Sequence, residues 1–373
     1  MNPGILSLTI KGFRSIRQLE FKDLGRVNLL TGRNNTGKSS IIEALRILVS
    51  DASPMVLARI LRDREEHQTE SQERSRSVDT ESPAPVGSLF SGFPHISEIR
   101  DPIVLAANGG KRSFSLTISA GLFMEQRSAD GSSLLILQKE QPDVLQAVLI
   151  PALEIRYGAK RSILTLENLR LFTGGRIPIL EGRTTPFVFV GPHGGASTGN
   201  LGWLWDKIAL SDHEKEVVQA LKIIDPGITG VSMVGGGEAP GQLRSAIVRC
   251  TTFNHPVPLR SFGDGLNRLF GIVLALVNAK DGFLLIDEFE NGMHYTIQLD
   301  VWRIIFRLSA LLNVQIFATS HSWDCVQSFQ KAAAEEPSAG LLLRLSKKGE
   351  SLIATPFRED ELAIATREHI EVR

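Results

Sequence analysis

The sequence has little cysteine: Cys250 and Cys325 are the only two in 373 residues. They lie far apart and form no C-x-x-C pair. That argues against a zinc site, a zinc hook or a disulfide scaffold, and fits a reducing cytosol. Net charge is also lacking, since 41 basic and 41 acidic side chains cancel. No broad basic field for nonspecific nucleic-acid binding is expected, although a local patch stays open. Long apolar runs are missing too. The longest, "LFGIVLALV" at 269–277, is too short to span a bilayer and reads as a buried helix. No charged-then-apolar signal peptide opens the chain, so a cytoplasmic protein without membrane contact is expected. There is no internal repeat and no heptad run long enough for a coiled-coil arm. The hydrophobic fraction, 42%, is that of an ordinary globular chain with a real core.

Against this background one stretch is specific. "GRNNTGKSS", Gly32 to Ser40, follows the apolar run "RVNLL" and precedes "IIEALRILV". The pattern G-x-x-x-x-G-K-S between a strand and a helix is a phosphate-binding loop. Gly32 and Gly37 let the backbone curl so that N–H groups along Arg33, Asn34, Asn35 and Thr36 point inward at phosphate oxygens. The helix from about Ser39 and Ser40 adds its positive end. Lys38 would reach the β- and γ-phosphates of ATP, and the Ser39 hydroxyl would be a Mg²⁺ ligand. A Gly-rich turn that merely ends in Lys-Ser is the alternative, disfavoured by eight specified positions in the right frame.

Along the chain, residues 4–12 and 26–30 read as strands and 39–50 as a helix with Ile41, Ile42, Leu45, Leu48 and Val49 on its apolar side. The mixed-charge run at 62–85 reads as a mobile loop, for which a DNA or partner contact is the less favoured alternative. Several β-rich pieces between 100 and 190 suggest antiparallel hairpins. "GPHGGASTGN" at 191–200 is expected to be a loop with His193 as a turn residue. Helices are expected at about 201–210 and 212–224, the second with Ser211 and Glu214 as a capping box. Residues 235–241 suggest a hairpin tip. "GLLLRLSKKGESLIATPF" reads as a hairpin, followed by a short helix at about 359–368.

Three downstream segments bear on what the loop serves. "GFLLIDEFENGMHY", 282–295, has an apolar run ending in Asp287 and Glu288. This is the form of a Walker B strand. Asp287 would hold Mg²⁺ through water, and Glu288 would orient and deprotonate the attacking water. "VQIFATSHSW", 314–323, is another apolar strand, ending in Thr319, Ser320 and His321. A His there can polarise the γ-phosphate or sense its loss. "SFGDGLNRLFGIVLALVNA", 261–279, places the small residues Ser261, Gly263 and Gly265 in a loop before an apolar helix, a second helix N-terminus suited to an anion. A Gly-rich cap of a buried helix is the alternative.

Together these motifs resemble the ABC-type ATPases, and more narrowly the overcoming-lysogenization-defect (OLD) and RecF-like group. The resemblance covers "IKGFRSI", the phosphate loop, "SFGDG", "LLIDEFENGMH", "ATSHS" and the closing "IEVR". It implies an α/β fold: an ABC-type P-loop head with a central mixed sheet, helices around it and a β-rich N-terminal lobe or insertion. It implies a homodimer with ATP between two heads. Arg14 and Ser15 would lie near the nucleotide, and Ser261 and Gly263 would cap the γ-phosphate of the other head. His294 stands where transporter-type members carry an Asp. The signature departs from L-S-G-G-Q, and no Q-loop glutamine is placed.

One head over 1–373 is expected, with a phosphate-loop start at 1–60, a polar loop at 61–86, a β-rich insertion at 87–190, a helical and hairpin segment at 191–244 and the signature, Walker B and switch-His lobe at 245–373. OLD nucleases carry a Toprim domain after the head. Only 52 residues follow His321 and hold no D-x-D, so a short form acting through a separate nuclease-like effector is expected, in antiphage defence or DNA maintenance. The alternative is an ATP-dependent DNA clamp or scaffold with slow hydrolysis. A small-molecule kinase is a distant third, since such kinases need neither "SFGDG" nor "ATSHS".

Overall fold

The computed structural model describes residues 4–64, 85–109, 113–127, 133–137, 149–171, 185–192, 198–235, 244–337, 339–349, 351–368 and 370–372. Most of the polar run expected to be a mobile loop, His193 and most of the 235–241 tip lie outside these residues.

The chain begins with β1 (Ser7–Phe13), β2 (Ile16–Phe21), β3 (Val27–Thr31), α1 (Lys38–Val49) and α2 (Pro54–Asp63). The β-rich middle holds β4 (Ile103–Asn108), β5 (Ser113–Arg127), β6 (Ser133–Leu137), β7 (Leu149–Tyr157), β8 (Lys160–Thr165), α3 (Leu166–Leu171) and β9 (Phe187–Val190). Then come α4 (Thr198–Asp206), α5 (Asp212–Ile224), β10 (Ile228–Val234), β11 (Ser245–Cys250) and β12 (Val257–Pro258). The last part holds α6 (Asp264–Asn278), β13 (Phe283–Ile286), α7 (Tyr295–Leu311), β14 (Gln315–Thr319), α8 (Trp323–Glu335), β15 (Gly340–Lys348), β16 (Ser351–Phe357) and α9 (Glu359–Arg367).

Among the described residues these strands form three sheets. The six-stranded sheet runs β16-β15-β3-β14-β13-β9, parallel throughout except for β16. Its apolar strands are buried on both faces, as parallel sheets usually are. Alternation divides each strand between two cores: Leu284 and Ile286 face one, Phe283 and Leu285 the other. That is why "FLLI" is uniformly apolar rather than alternating. The second sheet is antiparallel, β2-β1-β4-β5-β7-β8 with β6 on β5. A small sheet, β10-β11-β12, is hydrogen-bonded to neither, but its Val231 and Val248 share the core of the six-stranded sheet. The chain thus has an α/β fold, a mixed sheet with helices plus an antiparallel N-terminal sheet.

α1 packs between the two large sheets, touching β13 and β14 on one side and β1, β4 and β5 on the other. The helix is therefore buried well beyond the expected apolar side, and even Ser40, Glu43 and Arg46 are covered. Buried charges need partners. Glu43 takes Arg14 Nε at 2.6 Å and Arg64 Nε at 2.7 Å. Arg46 lies 3.9 Å over the Phe189 ring and 3.6 Å from Asp63. Burial still pushes the Arg46 pKa down to about 10.

The structure corrects several expectations. β9, at the end of the β-rich region, pairs with β13 in the parallel sheet. The expected C-terminal hairpin is present as β15 and β16, and β15 also lies parallel beside β3, the phosphate loop's own strand. α2 runs to Asp63, into the stretch expected to be loop. α4 starts and ends a few residues earlier than expected. Ser211 and Glu214 do not form a reciprocal box. The Ser211 hydroxyl accepts from His213 N–H, while the Glu214 carboxylate accepts from Leu210 N–H, one residue before the cap. Leu210 is left-handed at φ 63°, which turns its N–H toward Glu214. Among the described residues no helix is long and apolar enough to cross a membrane.

Candidate functional site

The C-terminal ends of β3, β13 and β14 meet in one cleft, the position where open α/β sheets bind ligands. β3 leads into the loop at Gly32, whose φ of 148° no side chain would tolerate here. A Cβ at Gly32 would meet Leu345 O and Thr36 Oγ1, each at 2.7 Å. Gly37 is left-handed at φ 81° and hands the chain to α1. Thr31 Oγ1 donates to Val372 O at 2.5 Å, so residues 370–372 return beneath the loop.

The cleft, about 490 Å³, is lined by Asn34, Asn35, Thr36, Gly37, Lys38, Ser39 and Ser40 of the loop, by Arg14 and Ser15 of the β1–β2 turn, and by Asp287, Glu288 and His321. Gly32 and Arg33 do not line it, but their carbonyls hold Lys38 Nζ at 2.5 and 3.0 Å. Burial lowers the Lys38 pKa, while Glu290, Asp287 and Glu288 oppose that shift.

Asp287 joins the three strand ends. Its Oδ1 accepts from Ser39 Oγ at 3.2 Å and from Thr319 Oγ1 at 2.6 Å. The Thr319 hydroxyl in turn accepts from Glu288 N–H at 2.8 Å. Glu288 sits at φ 49°, a conformation a residue with a Cβ rarely adopts and one that clusters at functional sites. Its carboxylate accepts from Asn291 Nδ2 at 2.5 Å. His321 is half-exposed and anchored by Glu290, whose Oε1 lies 2.9 Å from the backbone N and 3.1 Å from Nδ1. Nδ1 beside that carboxylate leaves Nε2 as the ring nitrogen available to a ligand.

The small residues expected to face the other head's nucleotide lie away from this cleft. Ser261, Gly263 and Gly265 do not line it. Leu259–Phe262 is a short 3-10 turn, and α6 begins at Asp264. Gly265 therefore lies within the first helical turn rather than in a loop. A Cβ there would meet Ile297 Cδ1 at 2.8 Å, so the glycine permits α6 and α7 to approach. Asp264 and Gly265 instead line a second cavity of about 430 Å³ with Gly292 and His294. His294 caps α7, its Nδ1 2.9 Å from Thr296 Oγ1.

Sequence reasoning missed several residues. Phe93 lines the cleft beside Arg14 and Arg64 and stays 60% exposed. Glu290 anchors His321; its place two residues after Glu288 was visible, but its partner was not. Arg268, one turn into α6, is buried and donates to Gly191 O at 2.7 Å, Glu288 O at 3.0 Å and Asp287 O at 3.3 Å. A charged residue inside an otherwise apolar helix was the available signal.

Comparison with known proteins fits this geometry. A model described as "AAA ATPase domain" matches residues 4–82. Another, described as "AAA domain, putative AbiEii toxin, Type IV TA system", matches residues 247–324. An uncharacterized protein of Methanocaldococcus jannaschii is 48% identical over 46 residues, which are 12% of this chain and only 21% of that protein. An ATP/GTP phosphatase of Helicobacter pylori is 22% identical over 352 residues, 90% of each chain. Among solved structures, an SMC head bound to the C-winged helix domain of ScpA superposes with a TM-score of 0.53 at 12% identity, covering 95% of this chain and 98% of that one. At that identity the likeness concerns the fold. The two matched segments supply the loop on one side of the cleft and Asp287, Glu288 and His321 on the other. The chain is an ATPase that carries AAA-type ATPase domain sequence on an ABC-type head fold like that of the SMC proteins.

Proposed function

We propose that this ATPase closes as a homodimer on ATP and Mg²⁺ and thereby controls a separate effector protein. The observation that carries the catalytic part is the Ser39–Asp287–Thr319 contact, which brings Glu288 to the same cleft as Lys38. Ser39 and Asp287 would hold Mg²⁺. Both offer hard oxygen donors side by side, and two suffice for an ion that keeps waters and takes phosphate oxygens. When bound, the ion neutralises phosphate charge. Lys38 leaves its loop carbonyls to pair with the β- and γ-phosphates. Glu288 accepts a proton from water as the new O–P bond forms and the bond to ADP breaks. His321, held by Glu290, turns its free ring nitrogen to the γ-phosphate.

Dimerisation is supported by the position of Ser261, Gly263 and Gly265, outside the cleft of their own chain. A second copy would supply them in trans. An effector is supported by two of the similar proteins. One matching model is named for a toxin of a type IV toxin–antitoxin system. The SMC head was solved with a domain of another protein bound. A nuclease-like effector acting in phage defence or DNA maintenance is the form we favour.

Glu288→Gln tests both parts. It should retain ATP affinity while turnover falls about 10²–10⁴-fold, the usual worth of a general base. Held in the ATP state, it should elute as a dimer and recover the effector when used as bait in cells carrying the native gene neighbourhood. Parental turnover would refute the assignment of Glu288. A monomer that captures nothing would refute the dimer and the effector.

A further inference from the structure

Glu288 is held from three directions, two on its backbone and one on its side chain. Thr319 of β14 takes its N–H, Asn291 of its own loop takes its carboxylate, and Arg268 of α6 takes its carbonyl. The Arg268 guanidinium spans more than that one group. Its Nη1 donates to Gly191 just past β9, and its Nη2 is shared between Asp287 and Glu288 just past β13. All three carbonyls lie where the strands leave the ladder, so the planar fork supplies the bonds the sheet no longer does. The side chain is 2% exposed. Burial lowers its pKa to about 10, opposed by the charges of Glu290, Asp287 and Glu288. It therefore stays a cation at neutral pH.

The position of Arg268 on α6 adds a consequence. Asp264 begins the helix, one turn before Arg268, and the 3-10 turn carrying Ser261 precedes it directly. A displacement of this helix start moves the guanidinium, and with it the carbonyl of a residue already at φ 49°. We propose that Arg268 is a positioning residue that holds Glu288 in its left-handed conformation and ties that conformation to the Ser261–Gly265 turn at the head of α6. The proposal rests on the assignment of Glu288 as the base. In the closed dimer it would make the arrangement of one head's base depend on whether its signature turn is seated on the other head's nucleotide.

The test compares Arg268→Lys in two backgrounds. Lysine keeps the charge but cannot reach three carbonyls with one planar fork. In the parent, kcat for ATP should fall at least about tenfold with KM changed less than about threefold, since the loss falls on the transition state. In Glu288→Gln, single-turnover hydrolysis should lose nothing further, because Arg268 acts through the missing carboxylate. Equal loss in both backgrounds, a change confined to KM, or unchanged kcat would each overturn the proposal. Should the lysine variant not fold, Arg268→Gln is measured in the same way. Failure of both to give soluble protein would assign Arg268 to stability alone and also overturn it. Parental turnover in Glu288→Gln itself would instead refute the base assignment, a distinguishable outcome.

Discussion

Replacing Thr319 with valine should damage both stability and turnover, although the shape of the side chain hardly changes. Thr319 is fully buried, and its hydroxyl does two jobs. It donates to Asp287 Oδ1 at 2.6 Å and accepts from Glu288 N–H at 2.8 Å. Valine deletes both bonds. Loss of a hydrogen bond to a charged group costs about 1.5–3 kcal/mol, and an N–H left unpaired costs about 1–3 kcal/mol when buried. The Glu288 N–H is only part-buried, so the second term lies at its low end and the sum is about 3 kcal/mol. At roughly 2 °C per kcal/mol, the low end for larger chains, the midpoint of thermal unfolding should fall by about 6 °C. Asp287 and Glu288 each lose a fixed contact, so kcat should fall about tenfold or more while nucleotide affinity changes less. Thr319→Ser keeps the hydroxyl and should recover most of the turnover. Calorimetry and steady-state hydrolysis on the same preparations give both readouts. A valine variant with parental melting and parental turnover would refute the bridging role of this hydroxyl.

Ser261→Arg should leave nucleotide binding by the single chain nearly intact and abolish nucleotide-driven pairing, because bulk and charge enter the face presented to a second copy. Sedimentation with and without ATP reads it, and normal pairing with full turnover would refute the trans arrangement. Phe93→Ala should weaken nucleotide binding about 5- to 150-fold, the worth of one stacked base being roughly 1–3 kcal/mol. Phe93→Trp should preserve it, and unchanged titrations for the alanine variant would remove Phe93 from the site.

The motifs of this site were legible wherever their chemistry is local. The phosphate loop needs a strand, a left-handed glycine, a lysine and a helix start in immediate succession, and the chain carries them within nine residues. "FLLIDE" and "IFATSH" were legible because strands buried on both faces read as apolar runs with polar ends. Asp287 and Glu288 could also be given separate roles, since neighbouring residues at a strand end point in different directions. The α/β class came with the family resemblance that these motifs carry.

Other features depended on which segments the fold brings together. β15 became a neighbour of β3 only through long-range parallel pairing, which leaves no mark on a sequence that also reads well as a hairpin. The burial of α1 on several sides, and hence the pairing of Glu43 with Arg14 and Arg64, followed from a second sheet closing over a helix whose own pattern shows one apolar side. Ser211 and Glu214 have the spacing of a capping box, yet the left-handed Leu210 offers its own N–H to the glutamate. Thr319 bridges Asp287 and Glu288, Glu290 holds His321, and Arg268 holds the carbonyls at two strand ends. The residue types were visible in each case, but the partners stand some 20 to 80 positions apart. Local sequence sets backbone preference and apolar pattern; a hydrogen bond between distant residues exists only once packing has fixed donor and acceptor within about 3 Å of each other.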